Sequence, residues 1–295
     1  MSLAYWGYRS GAALARSLPA PVSLALARAG ATGFKYASPE RRRVVARNMK
    51  RVYGPDYGGR DLERSVQGAF ESYGRYWAES FRLPSLDKAQ LEAGFTYEGY
   101  EHIAACRDRG LGPILALPHL GGWEWAVFYV TDVMGIPCTA VVERLDPPDL
   151  FEWFTDYRRS IGLNVVPVGP GAAAEVARAV KERHVVCLLS DRDVSGTGVE
   201  VEFFGERTTL PVGPAILALR TGTSLMPASI YFRGAGRHGK LCAPLVVERQ
   251  GRLRDDVVRV TQAVAYALED LIRAEPEQWH LMQPNWPSDR IGATP

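Results

Sequence analysis

The sequence predicts a single α/β domain, a largely parallel, twisted sheet with helices on both faces, preceded by amphipathic helices. Three observations carry that reading. From residue 111 onward, short apolar runs alternate with helical stretches in a β-α-β-α-β-α-β rhythm, the pattern of parallel strands joined by crossover helices. The 295 residues are 46% hydrophobic and 23% charged, which is enough for a large core. Charge is uneven: residues 1–60 hold eleven Lys and Arg against Glu40 and Asp56, a net +9, leaving −7 for the rest of a chain whose total is +2. A basic arm on an acidic body points to an anionic partner, either a membrane surface or a nucleic acid.

Taken in order, residues 2–30 read as two helical pieces broken at Pro19 and Pro21. On the first, Leu3, Trp6, Leu14 and Leu18 gather on one face with Arg9 and Arg16 opposite, the pattern of a helix lying in a membrane interface or of one packed on the protein body. Residues 38–53 form a helix capped by Ser38 with Pro39 at its first position, and residues 60–82 form another, rich in Tyr and Phe. No apolar run reaches the ~20 residues that span a bilayer. The charges fall inside the first apolar stretch rather than before it, which argues against a cleavable signal peptide. In the body, strands are expected at Ile114–Leu117, Thr139–Val142, Asn164–Val168 and Val185–Leu189, with helices at residues 121–134, 147–160, 172–182 and 211–221. Two further strands, Leu225–Phe232 and Leu241–Glu248, are joined by a glycine-rich turn at 234–239, and a long helix spans 255–274. Cys106, Cys138, Cys187 and Cys242 are dispersed and read as reduced core thiols, which fits a reducing cytosol.

The chemistry concentrates at His119-Leu120-Gly121-Gly122-Trp123-Glu124, where a buried strand ends and a helix begins. In open parallel sheets, ligands bind beyond the carboxyl ends of strands. On a continuous helix, positions five apart point in different directions. A turn at Gly121-Gly122 would instead let Glu124 point back at His119, fixing the tautomer of the imidazole and leaving its other nitrogen to take a proton from a hydroxyl. The plain structural alternative is a strand-end histidine with Glu124 as the dipole partner of the helix.

The run Leu117–Glu124 resembles the His-x4-Asp/Glu signature of glycerolipid acyltransferases, and more closely the lipid A biosynthesis acyltransferases. Arg41–Met49, Tyr157–Gly162, Asp191-Arg192-Asp193, Phe203-Phe204-Gly205 and Thr208–Thr221 resemble further segments of that family in order. Val142–Leu145 and the tail Pro276–Pro284 are similar to its phosphatidylinositol mannoside acyltransferase subgroup. The resemblance implies a glycerolipid acyltransferase-like fold, with residues 1–83 a membrane-facing basic helical segment and residues 84–295 the α/β acyltransferase core. It implies transfer of a long fatty acyl chain from acyl-CoA, as co-substrate and with no cofactor, to a mannose hydroxyl of a phosphatidylinositol mannoside. The enzyme would be peripheral on the cytoplasmic face of the cell membrane, with an anionic membrane surface and no nucleic acid as partner. Many relatives carry Asp where this chain has Glu124. His119 and Glu124 are the expected catalytic residues, and Arg158, Glu143, Arg144, Asp191 and Asp193 the expected substrate-binding ones. Arg158 would stabilise the oxyanion or the donor phosphates, or else simply pair with Asp156 or Glu152. Glu143 would hold Arg158 or a sugar hydroxyl.

Several patterns compete with this reading. Residues 191–202 fit an EF-hand loop, but strands rather than helices are expected on either side, and no metal is expected. Gly169–Ala174 imitates a dinucleotide fingerprint, which keeps a dinucleotide-dependent oxidoreductase as a rival. A non-catalytic membrane-binding protein is the other rival. No Gly-x-Ser-x-Gly elbow is present.

Overall fold

The computed structural model describes residues 2–290; Met1 and residues 291–295, which end the expected N-terminal segment and tail, lie outside the described residues. Four helices come first: α1 (Leu3–Ser17), α2 (Ala20–Ala37), α3 (Pro39–Tyr53) and α4 (Gly59–Arg82). Ser2 caps α1 by accepting the Tyr5 N–H at 3.1 Å, and Pro19 breaks the chain before α2. Pro39 opens α3 as expected, but the Ser38 side chain makes no capping bond. There follow α5 (Lys88–Ala93), β1 (Phe95–Glu98), α6 (Tyr100–Asp108), β2 (Ile114–Leu117), α7 (Trp123–Phe128), β3 (Cys138–Val142), α8 (Pro148–Ser160), β4 (Leu163–Pro167), α9 (Ala172–Lys181) and β5 (Val185–Leu189). The chain then makes a two-stranded antiparallel unit, β6 (Val199–Phe203) and β7 (Glu206–Leu210), before α10 (Gly213–Thr221), β8 (Leu225–Arg233), β9 (Gly236–Leu241), α11 (Leu253–Ala274) and the short α12 (Pro287–Arg290).

The main sheet has seven strands in the order β1-β9-β8-β2-β5-β3-β4. Every neighbouring pair is parallel except the β8/β9 hairpin. Alternation along β2 builds a core on each face: Ile114 and Ala116 pack towards α9, α10 and α11, while Leu115 and Leu117 pack towards α7 and α8. The hairpin corrects one expected boundary. The chain turns at Arg233–Gly236, and the glycine-rich stretch is itself the strand β9, because Gly239 faces Ile230 and accommodates the Phe95 ring, which a Cβ there would meet at 2.8 Å. Strands β1 and β7 escaped the apolar pattern because β1 buries Phe95 alone, and the buried positions of β7 are Thr208 and Leu210.

The N-terminal helices pack on the sheet domain. Helix α4 reaches the core with Tyr76, and its Glu79 takes hydrogen bonds from Arg75 at 2.6 Å and from Arg237 of β9 at 2.7 Å. On α1, Ala12 and Ala15 pack on Phe81, and the exposed Arg16 donates to the Phe81 carbonyl at 2.7 Å. That leaves Trp6 and Leu14 about half exposed (50% and 53%), with Val22 and Leu26 of α2 similarly open (45% and 51%). No helix among the described residues is long and apolar enough to cross a membrane.

Candidate active site

The register of β2 on β5 positions the central pair. Leu117 lies opposite Leu189, and the Ser190 N–H continues the ladder by donating to the Leu117 carbonyl at 2.8 Å. Two residues further along each strand, His119 meets Asp191. The His119 Nδ1 is 2.6 Å from Asp191 Oδ1, and the His119 backbone N–H donates to Oδ2 at 3.0 Å. Asp191 is fully buried, whereas the His119 side chain is 31% exposed. Burial alone would raise the Asp191 carboxyl, but the adjacent imidazole and the bonds from His119 and Trp279 outweigh it and hold the group below the usual carboxylate range. An ionised Asp191 can only accept, so Nδ1 carries a proton in this contact, and in the neutral form of the imidazole the lone pair lies on Nε2.

This partnership corrects the expectation that Glu124 would point back at His119. The bend at Gly121 is real: its φ is +57°, and a Cβ there would lie 1.7 Å from the Ile230 carbonyl oxygen. The bend turns Glu124 into the interior instead. There Glu124 Oε1 accepts from the Tyr76 hydroxyl at 2.8 Å and from Arg158 at 3.3 Å, and its other oxygen is buried without a partner. Burial raises the Glu124 carboxyl, with the Arg158 charge and both hydrogen bonds opposing the rise. Arg158 accordingly pairs with Glu124, while Asp156 faces Arg159 at 3.5 Å.

The remaining expected residues separate. Glu143 takes a 2.8 Å hydrogen bond from Arg192, not from Arg158. Arg144 is exposed and sits over the Phe151 ring, 5.8 Å from its centroid. Asp193 binds its own loop, accepting from the N–H groups of Ser195, Gly196 and Gly198 at 2.8–3.1 Å. That loop joins two strands, as expected, and no cluster of metal-ligating side chains occurs among the described residues. Gly169–Ala174 lies after β4, the edge strand, away from β2 and β5.

Four side chains beside the pair were not anticipated. Trp279 Nε1 donates to Asp191 Oδ2 at 2.8 Å, and Asn285 donates to the Asp191 carbonyl at 3.0 Å. The backbone N–H of His280 donates to the His119 carbonyl at 2.7 Å, while its Nε2 lies 2.9 Å from Ser72 Oγ. The His280 ring packs against Tyr73 and Tyr76. Burial and then the neighbouring His119 push its pKa down to about 3, so it stays neutral. The available signal for these residues was weak: a tail carrying Trp279, His280 and Trp286, and a tyrosine-rich helix with Ser72 and Tyr76 four positions apart.

A narrow apolar cavity of about 60 Å³ lies beside Leu117, two residues before His119. It runs under α7 and its π-helical continuation Tyr129–Val133, across the face of the sheet. Leu117, Trp123 and Ile230 line it near His119, and Met134, Cys138 and Cys187 line it farther along. Burial pushes the Cys187 thiol up to about 12 and raises Cys138 as well, so both act as small apolar surfaces.

A strand-end His–Asp pair and a nearby apolar cavity are compatible with acyl transfer. The bacterial lipid A biosynthesis acyltransferase family model matches residues 2–288, and the chain belongs to that family of lipid acyltransferases. Among curated proteins it is similar to the phosphatidylinositol mannoside acyltransferase of Mycobacterium tuberculosis, at 38% identity over 96% of this chain and 89% of that protein. It is also similar to the protein of the same name from Mycolicibacterium smegmatis, at 36% identity over 96% of this chain and 91% of that one.

Proposed function

We propose that the protein transfers a long fatty acyl chain from acyl-CoA to a mannose hydroxyl of a phosphatidylinositol mannoside, working at the cytoplasmic face of the cell membrane. The observation that carries this reading is the 2.6 Å contact of His119 Nδ1 with the Asp191 carboxylate, and the apolar lining beside Leu117 supplies a surface for an alkyl chain. The acceptor class is supported by the names of the two mycobacterial relatives.

In this mechanism, His119 Nε2 takes the proton of the attacking hydroxyl as its oxygen bonds to the thioester carbonyl carbon. Asp191 stabilises the imidazolium that forms. The tetrahedral intermediate then collapses, the carbon–sulfur bond breaks, and the imidazolium returns its proton to the leaving thiolate. The products are the O-acyl glycolipid and free CoA thiol. Arg158 stabilises the developing oxyanion, held in place by Glu124. The half-exposed Trp6, Leu14, Val22 and Leu26, together with the basic N-terminal arm, supply an apolar and cationic surface for an anionic bilayer.

The test is product mass spectrometry after incubation with palmitoyl-CoA and a panel of mannosylated and non-mannosylated lipids. Acylation confined to mannosylated phosphatidylinositols is the expected result. Equal acylation of lysophospholipids would overturn the acceptor assignment, and absence of any acyl product with active-site-intact protein would overturn the donor.

A further inference from the structure

We infer that Trp279, on the C-terminal tail, is a positioning residue for the catalytic pair: its indole N–H holds one oxygen of Asp191 so that the other faces His119. The inference rests on His119 and Asp191 acting together as proposed above. Trp279 is 1% exposed, and its Nε1 lies 2.8 Å from Asp191 Oδ2. The same oxygen accepts the His119 backbone N–H at 3.0 Å, which leaves Oδ1 for Nδ1 at 2.6 Å. The terminal torsion of an aspartate is intrinsically broad, so a catalytic carboxylate needs donors to fix its plane. Here they come from two distant segments of chain, β2 with its turn and the tail.

The tail is itself anchored to the same turn. The Gly121 N–H donates to the Gln278 carbonyl at 3.0 Å, and the His280 N–H to the His119 carbonyl at 2.7 Å. The Gln278 side chain brackets Phe232 of β8, accepting its N–H at 2.6 Å and donating to its carbonyl at 3.0 Å. Phe203, Phe204 and Trp286 surround the indole with centroids 5.6–6.3 Å away. Packing alone would be met by any large aromatic ring. An N–H aimed at the one carboxylate that faces the catalytic histidine is a separate requirement, and only Trp among apolar rings of that size meets it.

The experiment measures CoA release from palmitoyl-CoA, with phosphatidylinositol mannoside as acceptor, for four proteins: Trp279→Phe, Asp191→Asn, the double variant and His119→Ala. Trp279→Phe should lower kcat by about ten- to a hundredfold, the effect of losing one hydrogen bond to a charged group, with KM within about twofold. In the Asp191→Asn background the same change should have almost no further effect. A Trp279→Phe protein with unchanged kcat, or an equal loss in both backgrounds, overturns the inference. If Trp279→Phe does not fold, replacement of Trp279 by benzothienylalanine, which keeps the ring shape and lacks the N–H, gives the same reading. An active His119→Ala protein would overturn the mechanism itself; an inactive one alongside a Trp279→Phe protein of unchanged kcat overturns only the role of the indole.

Discussion

His119 and Asp191 stand two residues beyond the paired ends of β2 and β5, with Nδ1 2.6 Å from Oδ1. Parallel register carries both side chains to the same end of the sheet, so the pairing follows from backbone hydrogen bonding rather than from a local sequence motif. Asp191→Asn keeps the shape but turns an acceptor of the Nδ1 proton into a side chain that can impose the other tautomer. The expected result is a fall in kcat of about a thousandfold with KM little changed, and His119→Ala should fall to background. Steady-state acyl transfer measures both. An Asp191→Asn enzyme within a few fold of wild type would remove Asp191 from the mechanism.

The same contact predicts how stability depends on pH. The folded-state pKa of Asp191 is depressed, so its contribution is fully present above the ordinary aspartate value of about 3.9 and is lost as pH falls through the folded value. Urea unfolding of wild type and Asp191→Asn should therefore show a constant stability gap between pH 7 and pH 5. The gap should narrow under more acidic conditions. A gap that stays the same down to pH 3 would mean that the carboxylate charge contributes nothing.

Glu124 and Arg158 give a second, separable prediction. The pair is nearly dry, with side-chain exposures of 2% and 16%. Glu124→Gln leaves the Arg158 guanidinium buried without its counter-charge, which should cost about 3 to 5 kcal/mol of stability at neutral pH. Arg158→Met in the same protein should restore part of that loss, although the double variant would still lack the proposed oxyanion donor and remain slow. Chemical denaturation of the two single variants and the double variant measures the coupling. Strictly additive losses would show that the contact at 3.3 Å carries no energy.

Features with a local signal are legible in the sequence, and features that depend on distant pairing are not. The strands at 114–117 and 185–189 are continuous apolar runs buried on both faces, which made them visible. Strand β9 is not: Gly236, Gly239 and Lys240 look like a turn, and only the pairing with β8 makes them a strand. His119 was legible as a candidate from its position after a buried strand. Its hydrogen-bond partner was not, because Glu124 is near in sequence while Asp191 is near only once β2 and β5 are known to be neighbours. Trp279 and His280 depend on a tail crossing back over the sheet, a contact that no periodicity encodes.

The apolar slot makes chain length testable. Cys187 lies on β5 deep in the lining, and burial has already raised its thiol to about 12, so its loss as a reactive group should not matter. Cys187→Phe adds a ring where the far end of a long chain would lie. Transfer from palmitoyl-CoA should fall at least tenfold while transfer from octanoyl-CoA stays within about threefold, since each methylene excluded from burial forfeits roughly 0.8 kcal/mol. Overpacking should also cost about 1 to 3 kcal/mol of stability, so thermal melting must accompany the assay. Parallel losses with both donors would place the acyl chain elsewhere.

Membrane binding provides the last test. Trp6, Leu14, Val22 and Leu26 are about half exposed on α1 and α2, whereas Ala12 and Ala15 hold α1 to Phe81 on the other side. Replacing the four exposed residues by Ser should leave the fold and the thermal melt unchanged, because none of them belongs to a buried cluster. Flotation with vesicles containing anionic phospholipid should fall at least tenfold, roughly the loss of one or two partly buried side chains. The basic arm should leave a residual attraction that disappears as salt is raised to about 1 M, where the screening length is near 3 Å. CoA release from a water-soluble acceptor analogue should be unaffected, which separates docking from chemistry. Undiminished flotation of the four-residue variant would transfer the membrane contact to another face of the protein.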